Sequence, residues 1–179
     1  DSSTSRGLGD VYKRQILSRE NRALSPTEFI NYLLDLISSQ PIISIEDPLA
    51  EDDWDSWALF MLNAPKNLQV VGDDLFTTNA ARLARGVADR SANAILIKPN
   101  QNGLVTFTES VLKMAQGEGF RTIVSARSGE TEDSWLADLA TGWRAEQIKV
   151  GSTHGSDRNA KWNRLLELEA TEKTTFAQP

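Results

Sequence analysis

Five charged residues sit at the ends of short apolar runs along this 179-residue chain: Glu46, Asp73, Lys98, Arg127 and Lys149. Brought together, the carboxylates of Glu46 and Asp73 would supply hard oxygen ligands of the kind Mg²⁺ takes. The competing reading is a pair of solvated strand-end acids. Asp47 and Asp74 follow directly, and because neighbours on an extended strand point oppositely, only one acid of each pair is expected to serve as ligand. Lys98 ends the run Ile95-Leu96-Ile97. An ammonium beside a second cation and a metal is disfavoured, and that is how a lysine becomes a usable base. Lys149 is the natural second cation, although both lysines could simply pair with the strand-end carboxylates. Arg127-Ser128-Gly129 offers a guanidinium, a hydroxyl and a flexible backbone, a set suited to a phosphate near a helix start. His154, the only histidine, lies in a Gly-Ser-Thr-His-Gly-Ser loop. General acid/base work is conceivable there, but without a partner in the sequence it reads as a surface residue.

The elements that must position these groups alternate in texture. Apolar runs at 42–45, 68–71, 94–97, 122–125 and 147–150 are short and rich in Ile and Val, as strands buried on both faces are. Helical segments lie between them. Ser25-Pro26-Thr27-Glu28 predicts an N-cap, a proline at the first helical position and a capping box, with Phe29, Leu33, Leu36 and Ile37 following at helical spacing. Thr106-Phe107-Thr108-Glu109 predicts a second capping box, with Gly117 as the stop. Ser156-Asp157 opens a last helix running to about Thr171. The five tryptophans fall in different units and read as helix-to-sheet packing.

Strand–helix alternation at this length means βαβ units around a parallel sheet. The five charged positions are 22 to 29 residues apart, about one βα unit each. Charge at every strand end describes the rim of a (β/α) barrel, whereas an open doubly wound sheet concentrates function at one switch point. Glycine-rich phosphate fingerprints are absent as well. The fold class expected is therefore α/β, an incomplete TIM barrel of about five βα units. Five strands would leave an exposed edge.

Composition narrows the partners. A net charge of −6 argues against nucleic acid or an anionic membrane as the main partner. The absence of cysteine excludes a disulfide framework and a thiolate metal site, and it fits a cytoplasmic protein. No apolar run approaches the ~18 residues of a membrane span. Ser5 to Gln15 reads SRGLGDVYKRQ, which resembles the frame translation of a transposon-based sequencing adapter, the alternative being a genuine flexible N-terminal arm. Residues 1–15 are accordingly expected to be non-native and disordered, 16–171 to form the barrel piece and 172–179 a polar tail. On that expectation the natural protein is longer.

The blocks resemble the enolase family. Ser44-Ile45-Glu46-Asp47-Pro48 continuing to Ala50-Glu51-Asp52-Asp53-Trp54 looks like its SIEDP-AEDDW block, and Gly72-Asp73-Asp74-Leu75-Phe76 like GDDLF. Ile95-Leu96-Ile97-Lys98 with Asn100-Gln101 is similar to ILIK-NQ. Arg127-Ser128-Gly129-Glu130-Thr131-Glu132-Asp133 is similar to RSGETED, and Gln147-Ile148-Lys149 with Gly151-Ser152 to QIK-GS. The resemblance implies the C-terminal part of an enolase-type barrel and a Mg²⁺-dependent, reversible dehydration of 2-phosphoglycerate to phosphoenolpyruvate. It implies Glu46 and Asp73 as two of three protein ligands of Mg²⁺ and Lys98 as the base. Lys149 would hold the substrate carboxylate, with Arg127 and Ser128 on the phosphate. A homodimer or higher assembly of the full-length protein is also implied.

Two departures bear on activity. The family places a histidine between the serine and arginine of its S-H-R-S-G-E-T-E-D block, where this chain has Ala126. The third metal ligand and the glutamates of the acid step have no counterpart here, so the chain alone is expected to be inactive. A paralogue acting on another phosphorylated or carboxylate substrate, or a non-catalytic enolase-like binding protein, are the alternatives.

Overall fold

The structure, a computed structural model, describes residues 15–17, 21–127 and 131–172. A two-stranded antiparallel ribbon, β1 (Gln15–Leu17) and β2 (Arg22–Leu24), leads into α1 (Pro26–Ser39). Five βα units then follow. They comprise β3 (Ser44–Glu46) with α2 (Trp54–Asn63), β4 (Gln69–Gly72) with α3 (Ala80–Asp89), β5 (Ala94–Ile97) with α4 (Pro99–Asn102) and α5 (Val105–Gly117), β6 (Arg121–Ser125) with α6 (Trp135–Gly142), and β7 (Gln147–Lys149) with α7 (Ser156–Thr171). The five strands pair in sequence order, all parallel.

Two apolar clusters show how the sheet is used. The larger gathers Trp57, Phe60, Val70, Phe76, Leu83, Ile95 and Val124 between the strands and the helices. The smaller holds Val71, Ala94, Leu96 and Ile123, the alternate positions of the same strands. The inner strands β4, β5 and β6 are thus buried on both faces, as an α/β barrel requires. The outer strands β3 and β7, expected to be so as well, are exposed or only partly buried, because no further strand among the described residues covers them.

The sheet is strongly curved. The side-chain amides of Gln69 on β4 and Gln147 on β7 exchange hydrogen bonds of 3.1 and 2.9 Å. A flat sheet would hold strands three positions apart about 14 Å from each other. The fold is thus half of a barrel with its helices outside, as the strand-end charges predicted.

The local sequence signals hold at α1 and are overridden at α5. At α1 the capping box is present in full, with Ser25 accepting from the Glu28 N–H and Glu28 reaching back to the Ser25 N–H. At α5 the expected box is not used. Gly103 in the left-handed region ends α4, Leu104 is extended, and the helix has begun by Val105, so Thr106 lies inside it. There the Thr108 hydroxyl donates to the Leu104 carbonyl rather than capping an N–H. The stop also shifts: Gly117 is still helical, and Gly119, at φ +75°, takes the left-handed position. Trp54 and Trp57 are buried as expected, but Trp135 at the start of α6 is exposed. No helix among the described residues is long and apolar enough to cross a membrane.

Candidate active site

Parallel strands deliver their C-terminal ends to one side of the sheet, and the predicted residues meet there in two ion pairs. Lys98, immediately after β5, places its ammonium 2.5 Å from Asp73 Oδ2, and both side chains are nearly sealed from solvent. Lys149, at the end of β7, reaches both carboxylate oxygens of Glu46, at the end of β3, over 2.6 and 2.7 Å. This second pair is half-exposed. The alternative weighed for the lysines, pairing with strand-end acids, is therefore what the structure contains.

Each acid is held by what surrounds it. Asp73 lies one residue past β4, and its other oxygen, Oδ1, is buried with no hydrogen-bond partner. An unpartnered buried carboxylate oxygen is costly and marks a place where a cation would be welcome. One carboxylate oxygen from each of Asp47, Asp73 and Asp74 lies within 4.8 Å of the others, the one group of this kind among the described residues. The expected ligand Glu46 is not in it and is paired with Lys149 instead. Hard oxygen donors of this sort fit Mg²⁺ by chemistry.

The expectation that only one acid of each pair faces the site rested on strand alternation. That rule stops at the strand ends, Glu46 and Gly72. Beyond them Asp47 adopts φ 41°, and its two oxygens accept the N–H groups of Asp73 (2.9 Å) and Asp74 (2.8 Å). Burial pushes the Asp47 carboxyl up to about 6. The two N–H bonds act against that shift, and the charges of Asp73 and Asp74 add to it. Asp47 is thus a backbone clamp between the β3 and β4 ends. The sequence displayed the acid but gave no sign of its reach.

Arg127 follows β6 and is exposed, while Ser128 lies outside the described residues. The far side of that loop is tied to α7. Buried Lys161 donates to the carbonyls of Thr131 (2.5 Å) and Asp157 (2.9 Å), and Ser156 bonds to Glu132. Ser125 donates to the Lys149 carbonyl, fixing β6 against β7 at the rim. Ala126 packs partly buried against the larger apolar cluster. The His154 side chain is exposed in its loop, in keeping with the surface reading. A shallow pocket lined by Lys66, Gln69, Asn93 and Arg121 opens at the opposite, N-terminal end of the strands and contains none of these groups.

The chain matches the family described as "Enolase, C-terminal TIM barrel domain" over residues 8–177. It is 48% identical over 153 residues to the protein named "Enolase" from Sulfurimonas denitrificans, an alignment covering 86% of this chain and 36% of that relative. The chain therefore spans about a third of the length of the curated relative it matches.

Proposed function

From the premise that this chain belongs to the enolase family, in its C-terminal barrel domain, we propose that it is the barrel part of an enzyme that reversibly dehydrates 2-phosphoglycerate to phosphoenolpyruvate with Mg²⁺. The observation that carries the reading is the double pairing at the rim, Asp73 with Lys98 and Glu46 with Lys149. It concentrates two acids and two lysines at the C-terminal ends of four strands on one side of the sheet.

Each residue has a defined task in that reaction. Lys98 removes the proton on the carbon next to the substrate carboxylate. To do so it must present a free lone pair, so its contact with Asp73 has to open. Lys149 supplies a positive charge to the carboxylate, and Arg127 with Ser128 holds the phosphate. Asp73 and Glu46 would hold the Mg²⁺, with Asp47 bracing the Asp73 backbone. The ion supplies the positive charge that a deprotonated weak carbon acid needs, a pairing of lysine base and Mg²⁺ for which the enolase superfamily is itself the standard example. The step that expels hydroxide needs an acid and a third metal ligand from elsewhere in the full-length protein. The separate 179-residue chain is accordingly inactive in turnover. The proposal extends to a cytoplasmic protein that assembles as a dimer or higher.

Calorimetry on this chain with Mg²⁺, followed by 2-phosphoglycerate, tests the site, and an assay of phosphoenolpyruvate formation by the full reading frame tests the reaction. Mg²⁺-dependent binding together with turnover is expected. Turnover no higher than background would remove the assignment. Ala126 favours a second reading, a paralogue with another phosphorylated or carboxylate substrate, because its methyl group adds no polar contact where the family has a histidine. In that case Ala126→His in the full-length protein fails to raise phosphoenolpyruvate formation.

A further inference from the structure

Thr77 and Thr78, on the path from Asp73 to α3, are consecutive non-glycine residues in the left-handed region, at φ 48° and 52°. A β-branched residue there is strained, and such strain persists only where the surroundings over-determine it. Starting α3 does not require it. Asn79 caps that helix with its own side chain, accepting from the N–H groups of Ala81 and Arg82. What the conformation achieves is to bury Thr78, 1% exposed, against the end of β5. There its hydroxyl oxygen accepts the N–H of Lys98 (2.9 Å) and donates to Gln101 Oε1 (2.7 Å), while its carbonyl accepts Asn102 Nδ2 (3.1 Å).

The Lys98 N–H needs such a partner. The register of β4 with β5 ends at Gly72 and Ile95, that of β5 with β6 ends at Ile97 and Val124, one residue short of Lys98, and Pro99 follows with no N–H to donate. Without Thr78 the backbone of the lysine would leave the sheet unsecured at the point where its side chain turns toward Asp73. The hydroxyl is itself oriented: its proton goes to Gln101, which leaves a lone pair for Lys98. We propose that Thr78 is a positioning residue for Lys98, held in a strained conformation so that its hydroxyl fixes the backbone from which the lysine reaches Asp73. The functional weight of this rests on the reading of Lys98 as the base.

Competitive acylation of amines on the folded chain, read by mass spectrometry, tests it, with exposed Lys113 as reference and buried Lys161 as a control for general loosening. Thr78→Ala raises Lys98 labelling relative to Lys113 by about tenfold, the scale set by losing one buried hydrogen bond. Thr78→Ser, which keeps the hydroxyl, stays within about twofold of the parent. Lys161 does not change in either. Unchanged Lys98 labelling in a folded Thr78→Ala chain overturns the proposal, as does a parallel rise of Lys98 and Lys161, or a rise in Thr78→Ser equal to that in Thr78→Ala. Should Thr78→Ala not fold, Gln101→Leu leaves Thr78 in place and removes only the acceptor that orients its hydroxyl. Lys98 labelling then rises by a smaller factor, and no rise overturns the proposal. Failure of Mg²⁺ and 2-phosphoglycerate to bind the parent chain would undo the reading of Lys98 as base, whereas the labelling contrast judges Thr78 separately.

Discussion

Lys149 and Glu46 lie 103 residues apart on the two outermost strands of the sheet, yet the Lys149 ammonium bonds both Glu46 carboxylate oxygens. In a flat sheet these strands would be about 19 Å apart. Curvature alone brings them together, so the half-barrel already forms the mouth in which its charged groups meet.

The two ion pairs at this mouth differ in burial, and their mutants should differ accordingly. The Lys149–Glu46 pair is half-exposed, and Lys149→Met should change unfolding stability in urea by no more than about 1 kcal/mol. Lys98→Met instead leaves Asp73 buried without a partner on either oxygen and should cost about 3 kcal/mol or more. Adding Asp73→Asn to Lys98→Met should recover part of that loss, because the stranded charge is gone. A double mutant less stable than Lys98→Met would contradict this account.

Gly86 in α3 looks like a position that alanine should improve, since glycine inside a helix costs about 1 kcal/mol against alanine. The structure reverses the sign. A Cβ there would stand 2.3 Å from the ring of buried Phe76, which also closes on Gly72. Gly86→Ala should lower stability by about 1–3 kcal/mol. Gly86→Ala combined with Phe76→Leu should show a coupling that gives back part of the Gly86→Ala cost, measured by denaturant titration.

Asp47 should titrate near pH 6 in a carbon-detected carboxyl NMR experiment. Its folded value lies above the unfolded one of 3.8, so its contribution to stability is fully present below about pH 4 and is lost as pH rises through 6. Mg²⁺ bound at Asp73 should move the midpoint downward, because a nearby cation favours the ionised form. A midpoint near 4 without metal would contradict the burial that raises it.

Metal binding itself has a direct readout. Mn²⁺ added in place of Mg²⁺ should broaden the NMR signals of Asp47, Asp73 and Asp74 before those of Glu51 or Asp52, which belong to no such cluster. Asp73→Asn should abolish the selective broadening, while Asp52→Asn leaves it intact. Equal broadening at all the acids would point to non-specific surface binding.

Much of this was legible in the residues themselves. Period and punctuation marked the strands and α1, because a proline at a helix start and a serine–glutamate capping box act through contacts within one turn. Charge at one βα interval after another indicated a barrel rim, since parallel strands must deliver their ends to the same side. At the start of α5 the local signature is overridden by its surroundings. The signature Thr106 to Glu109 is local, but the start of the helix was decided by the preceding turn at Gly103.

By itself, then, the sequence determined which residues end strands, which carry charge, and that the sheet is parallel with helices outside. It could not determine which lysine meets which acid, because that depends on how far the sheet curls. Nor could it reveal that Asp47 spends both oxygens on the Asp73 and Asp74 backbone, or that Thr78 accepts strain to hold Lys98. Local preference extends over a turn or a strand, whereas those contacts join residues 20 to 103 positions apart. Only the closing of the sheet brings them within hydrogen-bonding distance.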